Sequence, residues 1–570
     1  MNFAIKRLHA LMVPHFVGGL GGIVTAATII DMIVVGNIIG VDALSAVAAI
    51  LPVSVGAQFV SRLAYCGAGF LFAKYQGSLE PEKARRVVGL SLETAAAIGL
   101  AVFTVTVLGR DLYIDAMGLS GGVREHAIAY WRWIAFYYAC YPIKMVMWRL
   151  VYADGETVST TLGDMVASPL IVILSLVFTK LTGTAAGAAM GLLGGSFISD
   201  IIMMTHLFRK SNGVVPSWNF SWRGLRELVS YALTDSAAKL CQCGFLAVVN
   251  KLVVMTASVK FLPIVGMVAL VQELFDLLDR VGDAYMPIAE MYKGERNLPQ
   301  LNVLARHALS CSVGFGVLMV SAIELLAPEI VSLYGIPKGG EVFDSAVLAL
   351  RLSGLVLPLA SVVLFLCSHY LVMDRIRLSL VTTVGFGFLL PVGCMVMLCF
   401  VRGLDVMWLG FPIGVLLTLA LLAVYCFVTT RRYSPLLLPA ATCAVFNQSF
   451  ASESRQVVRA RDACAEFLRK QGIRNDVVSN IALLIEECAM AVADASRHPE
   501  RVCVEISLIV ENSSVTLILR DTGVILDLTD VDLPVTSLRR FVIASMMQEQ
   551  QSRRYLNTVG CNRTVLLFAA

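Results

Sequence analysis

Asp31 is the first residue of this 570-residue chain whose type is out of keeping with its surroundings. It sits deep in the run from Leu11 to Val55, which is otherwise almost wholly apolar. The run exceeds the roughly 20 residues that cross a bilayer. An ionised carboxylate in hydrocarbon costs several kcal/mol even on lenient scales, so such a group marks a site or reaches an interface. Two readings are therefore open: an acid near a helix end, or a carboxylate that binds a proton or cation. Asp164 and Asp200 lie in later apolar stretches and could approach it, although Asp164 could equally cap a helix. Asp31, Asp164 and Asp200 form the expected ion-coupling set.

A second constellation occupies residues 273–283. Glu273, Asp276, Arg280 and Asp283 recur at three- and four-residue spacing, which puts them on one helix face. Arg280 can pair with Asp276 and Asp283 within one turn, which would make the face internally neutral. Glu273 has no evident local partner, so the same face could instead be the cation-attracting wall of a cavity. Asp235 and Lys239, four apart, read as a pair. The aromatic run Tyr130, Trp131, Trp133, Phe136, Tyr137, Tyr138 could stack on a cation or serve packing. Glu273, Asp276, Asn250 and Tyr137 are the expected cavity residues.

The elements that must carry these groups are membrane helices. Hydrophobic content is 57% and charged content 15%, against about half and a quarter in soluble domains. The formal charge of +4 offers no footprint for nucleic acid. Apolar windows predict twelve spans, from 12–37 to 405–429, with span eight at 260–289. Lys and Arg concentrate in one alternate set of connections, among them Lys83/Arg85/Arg86, Arg209/Lys210 and Arg431/Arg432. The positive-inside rule places that set, and both termini, in the cytoplasm, with the inner cell membrane as the expected location.

The chain also repeats itself. Tyr75-Gln76-Gly77 returns as Tyr292-Lys293-Gly294, Leu44-Ser45-Ala46-Val47 as Leu262-Pro263-Ile264-Val265, and Asp154 as Asp374, all about 217–220 residues apart. The same offset sets Asn250 opposite Asp31. The expected fold class is an all-α polytopic membrane protein with two pseudo-symmetric six-helix lobes, residues 1–213 and 214–433, around a central cavity. A small α/β domain over 434–570 follows. The fourteen cysteines are scattered, as at Cys140, Cys367 and Cys399, and Cys241-Gln242-Cys243 lacks ligand spacing, so neither disulfides nor a metal site is expected.

Pro14, Ile30-Asp31-Met32, Val35-Gly36, Gly40 and Ala43-Leu44-Ser45-Ala46-Val47 resemble the first helix of the multidrug and toxin extrusion (MATE) family, whose motif reads P, an apolar run, D-x-x-x-x-G, G-x-x-A-L-A-A-V. The resemblance continues through Lys83-Ala84-Arg85-Arg86, Gly155-Glu156-Thr157, Thr184 to Ala189, Leu326-Ala327-Pro328-Glu329-Ile330, Arg351 with Pro358, and Asp374-Arg375-Ile376-Arg377. It implies a secondary-active exporter of organic, cationic compounds, driven by H⁺ or Na⁺ and needing no other cofactor, with no enzymatic reaction. One element departs. Where many members carry N-x-x-x-D in helix five, this chain has Ser168-Pro169-Leu170-Ile171-Val172.

In the tail, periodicity predicts helices near 453–471, 475–495 and 536–549, and strands near 501–511, 514–521 and 563–569. Leu484-Ile485-Glu486-Glu487-Cys488, Asp521-Thr522-Gly523 and Gly560-Cys561-Asn562-Arg563-Thr564 resemble GHKL ATPases of the anti-sigma-factor kinase branch. The resemblance implies a nucleotide site at Glu486, Met490, Asp521 and Gly523, in degenerate form. Met490 stands where that family has a Mg²⁺-binding Asn, and a thioether cannot replace an oxygen ligand for a hard cation. Ile525 replaces the second Gly, and Ser537-Leu538-Arg539-Arg540 replaces the phosphate loop. The tail is expected to regulate rather than catalyse, through a protein partner or a dimer contact. A rival reading makes the whole chain a membrane-anchored sensor. An ATP-driven pump is disfavoured, since no G-x-x-x-x-G-K-[ST] loop occurs.

Overall fold

The computed structural model describes residues 2–569, apart from 25–33, 36–37, 40, 79, 117–120, 210–211, 257–262, 334–337, 432–433, 439–442, 499–500, 512–513, 531–537, 549–551 and 559. The first half of the membrane part contains α1 (Phe3–Val24), α2 (Val41–Gly77), α3 (Pro81–Ala116), α4 (Gly121–Ala153), α5 (Thr157–Thr182) and α6 (Ala186–Met204). The second contains α7 (Trp222–Thr256), α8 (Pro263–Leu278), α9 (Arg280–Gly294), α10 (Leu298–Leu333), α11 (Glu341–Gly354) and α12 (Val356–Val372). It continues through α13 (Ile376–Val384), a π turn at Gly385–Leu389, α14 (Leu390–Arg402), the short α15 (Leu404–Met407) and α16 (Gly410–Thr430). Seven helices among the described residues are long and apolar enough to cross a membrane. Pro14, Pro142, Pro169, Pro287 and Pro328 lie inside helices, which membrane helices tolerate because neighbouring chains satisfy the freed carbonyls.

Within the stretch predicted as one span over 260–289, α8 and α9 meet at Asp279, which keeps helical dihedrals, φ −67° and ψ −16°. The amide bonds from Asp279 to Phe275 and from Asp283 to Asp279 run on through it, so Glu273, Asp276, Arg280 and Asp283 follow one nearly continuous helix. The tail begins its regular structure earlier than expected, with a strand at Ala444–Ala451.

The tail is a five-stranded antiparallel sheet in the order β1-β2-β3-β5-β4. The strands are β1 (Ala444–Ala451), β2 (Cys503–Glu511), β3 (Ser514–Asp521), β4 (Arg553–Thr558) and β5 (Cys561–Ala569). Helices α17 (Ser454–Lys470), α18 (Asn475–Ala495) and α19 (Leu538–Gln548) complete it. Side chains alternate across a strand, so Val504, Ile506 and Leu508 join Leu517, Leu519, Leu566 and Phe568 in one core under the helices. The other face carries Glu505, Ser507, Arg520 and Arg563. All four are fully buried, because the membrane part covers them.

Candidate functional site

A cavity opens where the two halves meet. Cys66, Phe70 and Arg149 line it from α2 and α4, and Asp279, Asp283 and Phe386 from the second half. Arg149 donates to Asp283, and Arg280 lies 3.6 Å from the same carboxylate. The pairing expected between Arg280 and Asp276 is not made. Asp276 instead accepts from Lys239 Nζ at 3.0 Å and lies 4.0 Å from Arg62 of the first half. Glu273 accepts from Gln242 Nε2 at 2.8 Å. Lys239 thus serves Asp276, while the side chains of Asp235 and Asn250 lie outside the described residues. Glu273 and Asp276 are not among the residues that line the cavity, whose acids are Asp279 and the charge-matched Asp283.

Arg62 and Arg149 were not anticipated. A signal existed: both are cations inside predicted apolar spans, where charge is costly and rarely idle.

Within the first half, Asp200 on α6 lies 3.7 Å from Lys144 of α4. Asp164 on α5 accepts from Trp148 Nε1 at 3.2 Å and is within electrostatic reach of the same lysine. Helices α5 and α6 approach closely here, since a Cβ on Gly163 would stand 3.1 Å from Ser199 Oγ. The two acids expected to act together are therefore joined through a cation that sequence reasoning passed over. Asp31, the third, lies outside the described residues. Tyr137 sits with Tyr138 and Tyr141, ring centroids 5.0 and 5.7 Å away, in the aromatic core of the first half. It does not line the cavity between the halves.

The tail-facing end of the cavity is shut by ion pairs between the halves. Lys74 of α2 reaches Asp374 at 3.3 Å and Glu227 at 3.7 Å. Lys293 meets Asp374 at 2.5 Å within the second half, and Tyr75 of α2 donates across to Glu227 at 3.1 Å. Behind them the repeated glycines touch. A Cβ on Gly77 would lie 2.8 Å from the Glu290 carbonyl oxygen, and one on Gly294 would lie 2.7 Å from the Gly77 carbonyl carbon. The two copies of the Tyr-x-Gly motif are thus each other's neighbours, and only glycine permits that approach.

The tail's polar face then covers this seal. Arg520 donates to Glu505 at 2.7 Å and also to Glu295, just past α9. Arg563 lies 2.7 Å from Glu295 and donates to the carbonyls of Gln76 at 3.3 Å and Gly77 at 3.1 Å. Tyr292 and Gln300 donate to Glu505 at 2.7 and 3.0 Å. A single arginine, Arg563, therefore touches the end of α2 in the first half and the end of α9 in the second.

The expected nucleotide residues are engaged otherwise. Glu486 accepts from Arg461 at 2.6 Å and Glu487 from Arg539 at 2.7 Å. Met490 packs against the tail core. Asp521 accepts from the Gly523 amide and the Asn562 amide, both at 2.8 Å. Burial pushes its carboxyl up to about 6. Gly523 has no room for a side chain, since a Cβ would stand 2.8 Å from Val492.

Residues 22–194 match the MatE family model. The structure resembles a multidrug resistance MATE family transporter of the MOP superfamily in its outward-facing conformation, with TM-score 0.69 and 20% identity, over 76% of this chain and 97% of that one. A MATE protein in its bent conformation gives TM-score 0.67 at 20% identity, over 76% and 96%. A MOP superfamily transporter from Pyrococcus furiosus, described as having a binding pocket of reverse polarity, gives 0.68 at 20% identity, over 76% and 97%. No curated protein matches this chain.

Proposed function

We propose that this chain, which carries a MatE domain on the fold of MATE transporters, is a secondary-active exporter of organic compounds driven by H⁺ or Na⁺ antiport. The observation that carries the reading is the cavity between the halves, sealed on the tail side by ion pairs that can break and reform. Twelve spans, lobes at 1–213 and 214–433, a tail at 434–570, and cytoplasmic termini in the inner cell membrane belong to the same proposal.

The substrate is an organic cation, and the wall suggests how it enters. Asp283 already holds an internal cation. An incoming ammonium group would compete with Arg149 for that carboxylate, while Phe70 and Phe386 receive its apolar body. A desolvated charge needs an opposite charge and hydrogen bonds to offset the loss of water, so an exchange of partners costs less than burying the ligand alone. Asp31, with the Asp200–Lys144–Asp164 set, would carry the coupling ion. The test is efflux from proteoliposomes under a pH gradient and, separately, a sodium gradient. Asp31→Asn should abolish gradient-driven efflux while the protein stays folded. Retained coupling in that variant removes Asp31 from the mechanism.

A second reading rests on the tail's burial against the seal. Here the membrane part senses a ligand, and the tail releases its polar face to a protein partner or to a second copy of itself. The paired Glu486 and Glu487 support a tail that regulates without catalysis. Deleting 434–570 discriminates the two: efflux that persists favours the exporter, and loss of every ligand response with no efflux in either form favours the sensor.

A further inference from the structure

His9, His307 and Cys311 are distant in the chain and adjacent in the fold. His9 lies on α1, in the first half. His307 and Cys311 lie one turn apart on α10, in the second half, and so share a helix face. His9 Nε2 is 2.9 Å from His307 Nε2, and Cys311 Sγ is 3.7 Å from His307 Nε2. The three donor atoms all lie within 4.8 Å of one another. All three residues are half-buried, so an ion could reach them from solvent.

Two imidazoles and a thiolate are the ligand chemistry of zinc. Bonds of about 2.0 Å to nitrogen and about 2.3 Å to sulfur in a tetrahedron set neighbouring donors roughly 3.3–3.7 Å apart. The distance from the Cys311 sulfur to His307 already fits, the one to His9 lies within 4.8 Å and closes by side-chain rotation, and the two nitrogens need only part by a few tenths of an ångström. A fourth vertex remains for water. Without an ion, two neutral imidazoles at 2.9 Å share a single hydrogen bond, in which one Nε2–H donates to the other ring. That arrangement is the rival.

We propose that His9, His307 and Cys311 form a Zn²⁺ site that pins the first helix of one half to α10 of the other. Binding displaces the Cys311 thiol proton to solvent and leaves a thiolate on the metal. The pin acts where the halves must slide past one another, so an occupied site slows their rocking. The site itself stands on geometry. Its effect on transport rests on the exporter reading above.

The experiment uses full-length protein in detergent, stripped with chelator, kept reduced and titrated with Co²⁺. One equivalent should give tetrahedral visible bands and a thiolate-to-cobalt charge-transfer band. Cys311→Ser should abolish the charge-transfer band, and His9→Ala or His307→Ala should weaken Co²⁺ and Zn²⁺ binding by about 10–100-fold or more. Cys140→Ser, at an exposed thiol, should change nothing. Absence of a tetrahedral spectrum, or a charge-transfer band that survives Cys311→Ser, overturns the site and leaves the imidazole pair as a hydrogen bond. In proteoliposomes Zn²⁺ should slow efflux at least fivefold in the wild type and not in Cys311→Ser. Zn²⁺ that binds without slowing efflux overturns the pin. A protein with no efflux at all fails the exporter reading, while the cobalt spectrum still decides the site.

Discussion

At the scale of single residues, charges in this molecule are assigned to partners that linear spacing does not name. Lys144 is the clearest instance, since it serves Asp200 and stands within reach of Asp164. Lys144→Ala should reduce gradient-driven efflux at least tenfold, and Lys144→Arg should restore much of it. Equal activity in all three proteins would dismiss the set as a coupling site. Asp521 offers a pH test outside the membrane. Burial raises its carboxyl from the ordinary value to about 6. A raised acid favours the folded state below its unfolded pKa and loses that contribution as pH rises from about 4 through about 6. The loss is about 3 kcal/mol at most, at 1.36 kcal/mol per unit. Asp521→Asn keeps an oxygen for Gly523 and Asn562 and should remove that dependence. Hydrogen exchange of β3 in the full chain, compared at pH 4.5 and 7.5, reads the difference. Indistinguishable profiles for variant and wild type would refute it.

At the scale of elements, the seal depends on how closely two helix ends can come. Helix α2 ends in Gly77 and α9 in Gly294; the Gly77 backbone fills the space of the side chain Gly294 lacks, and the backbone of Glu290 and Met291 fills that of Gly77. Gly77→Val should destabilise the protein by about 1–3 kcal/mol, the usual cost of overpacking, read as a lowered Tm in detergent. Gly314→Ala, which faces open space on α10, is the control and should leave Tm within error. The spacing of Glu273, Asp276, Arg280 and Asp283 shows the limit of periodicity at this scale. It names Arg280 as the partner of Asp276, whereas Lys239 of α7 stands nearer to Asp276 than Arg280 does.

At the scale of the whole molecule, the tail is a lid over the seal. Glu505, Arg520, Glu295 and Arg563 are wholly buried, and removing one member leaves an uncompensated charge at a cost of about 3–5 kcal/mol. Arg563→Ala should therefore release the tail, seen as trypsin cleavage between the membrane part and β1 under conditions where the wild type resists. Unchanged protection would mean that the apolar edge at Phe3, Cys503 and Cys561 holds the tail instead. The sequence alone determined what depends on local content: apolar helices, a repeat with matching motifs, a charged α/β tail, and acids too costly to be idle. Hydrophobicity and periodicity are properties of neighbouring residues, so they can be read in order along the chain. Tertiary structure alone decided the pairings. Gly77 meets Gly294, Arg563 bridges both halves, Lys144 serves Asp200 and lies within reach of Asp164, and His9 meets His307 and Cys311 although close spacing gave no hint of a metal site. Those contacts join residues tens to hundreds of positions apart, and Coulomb attraction and packing act over distance in space rather than along the chain.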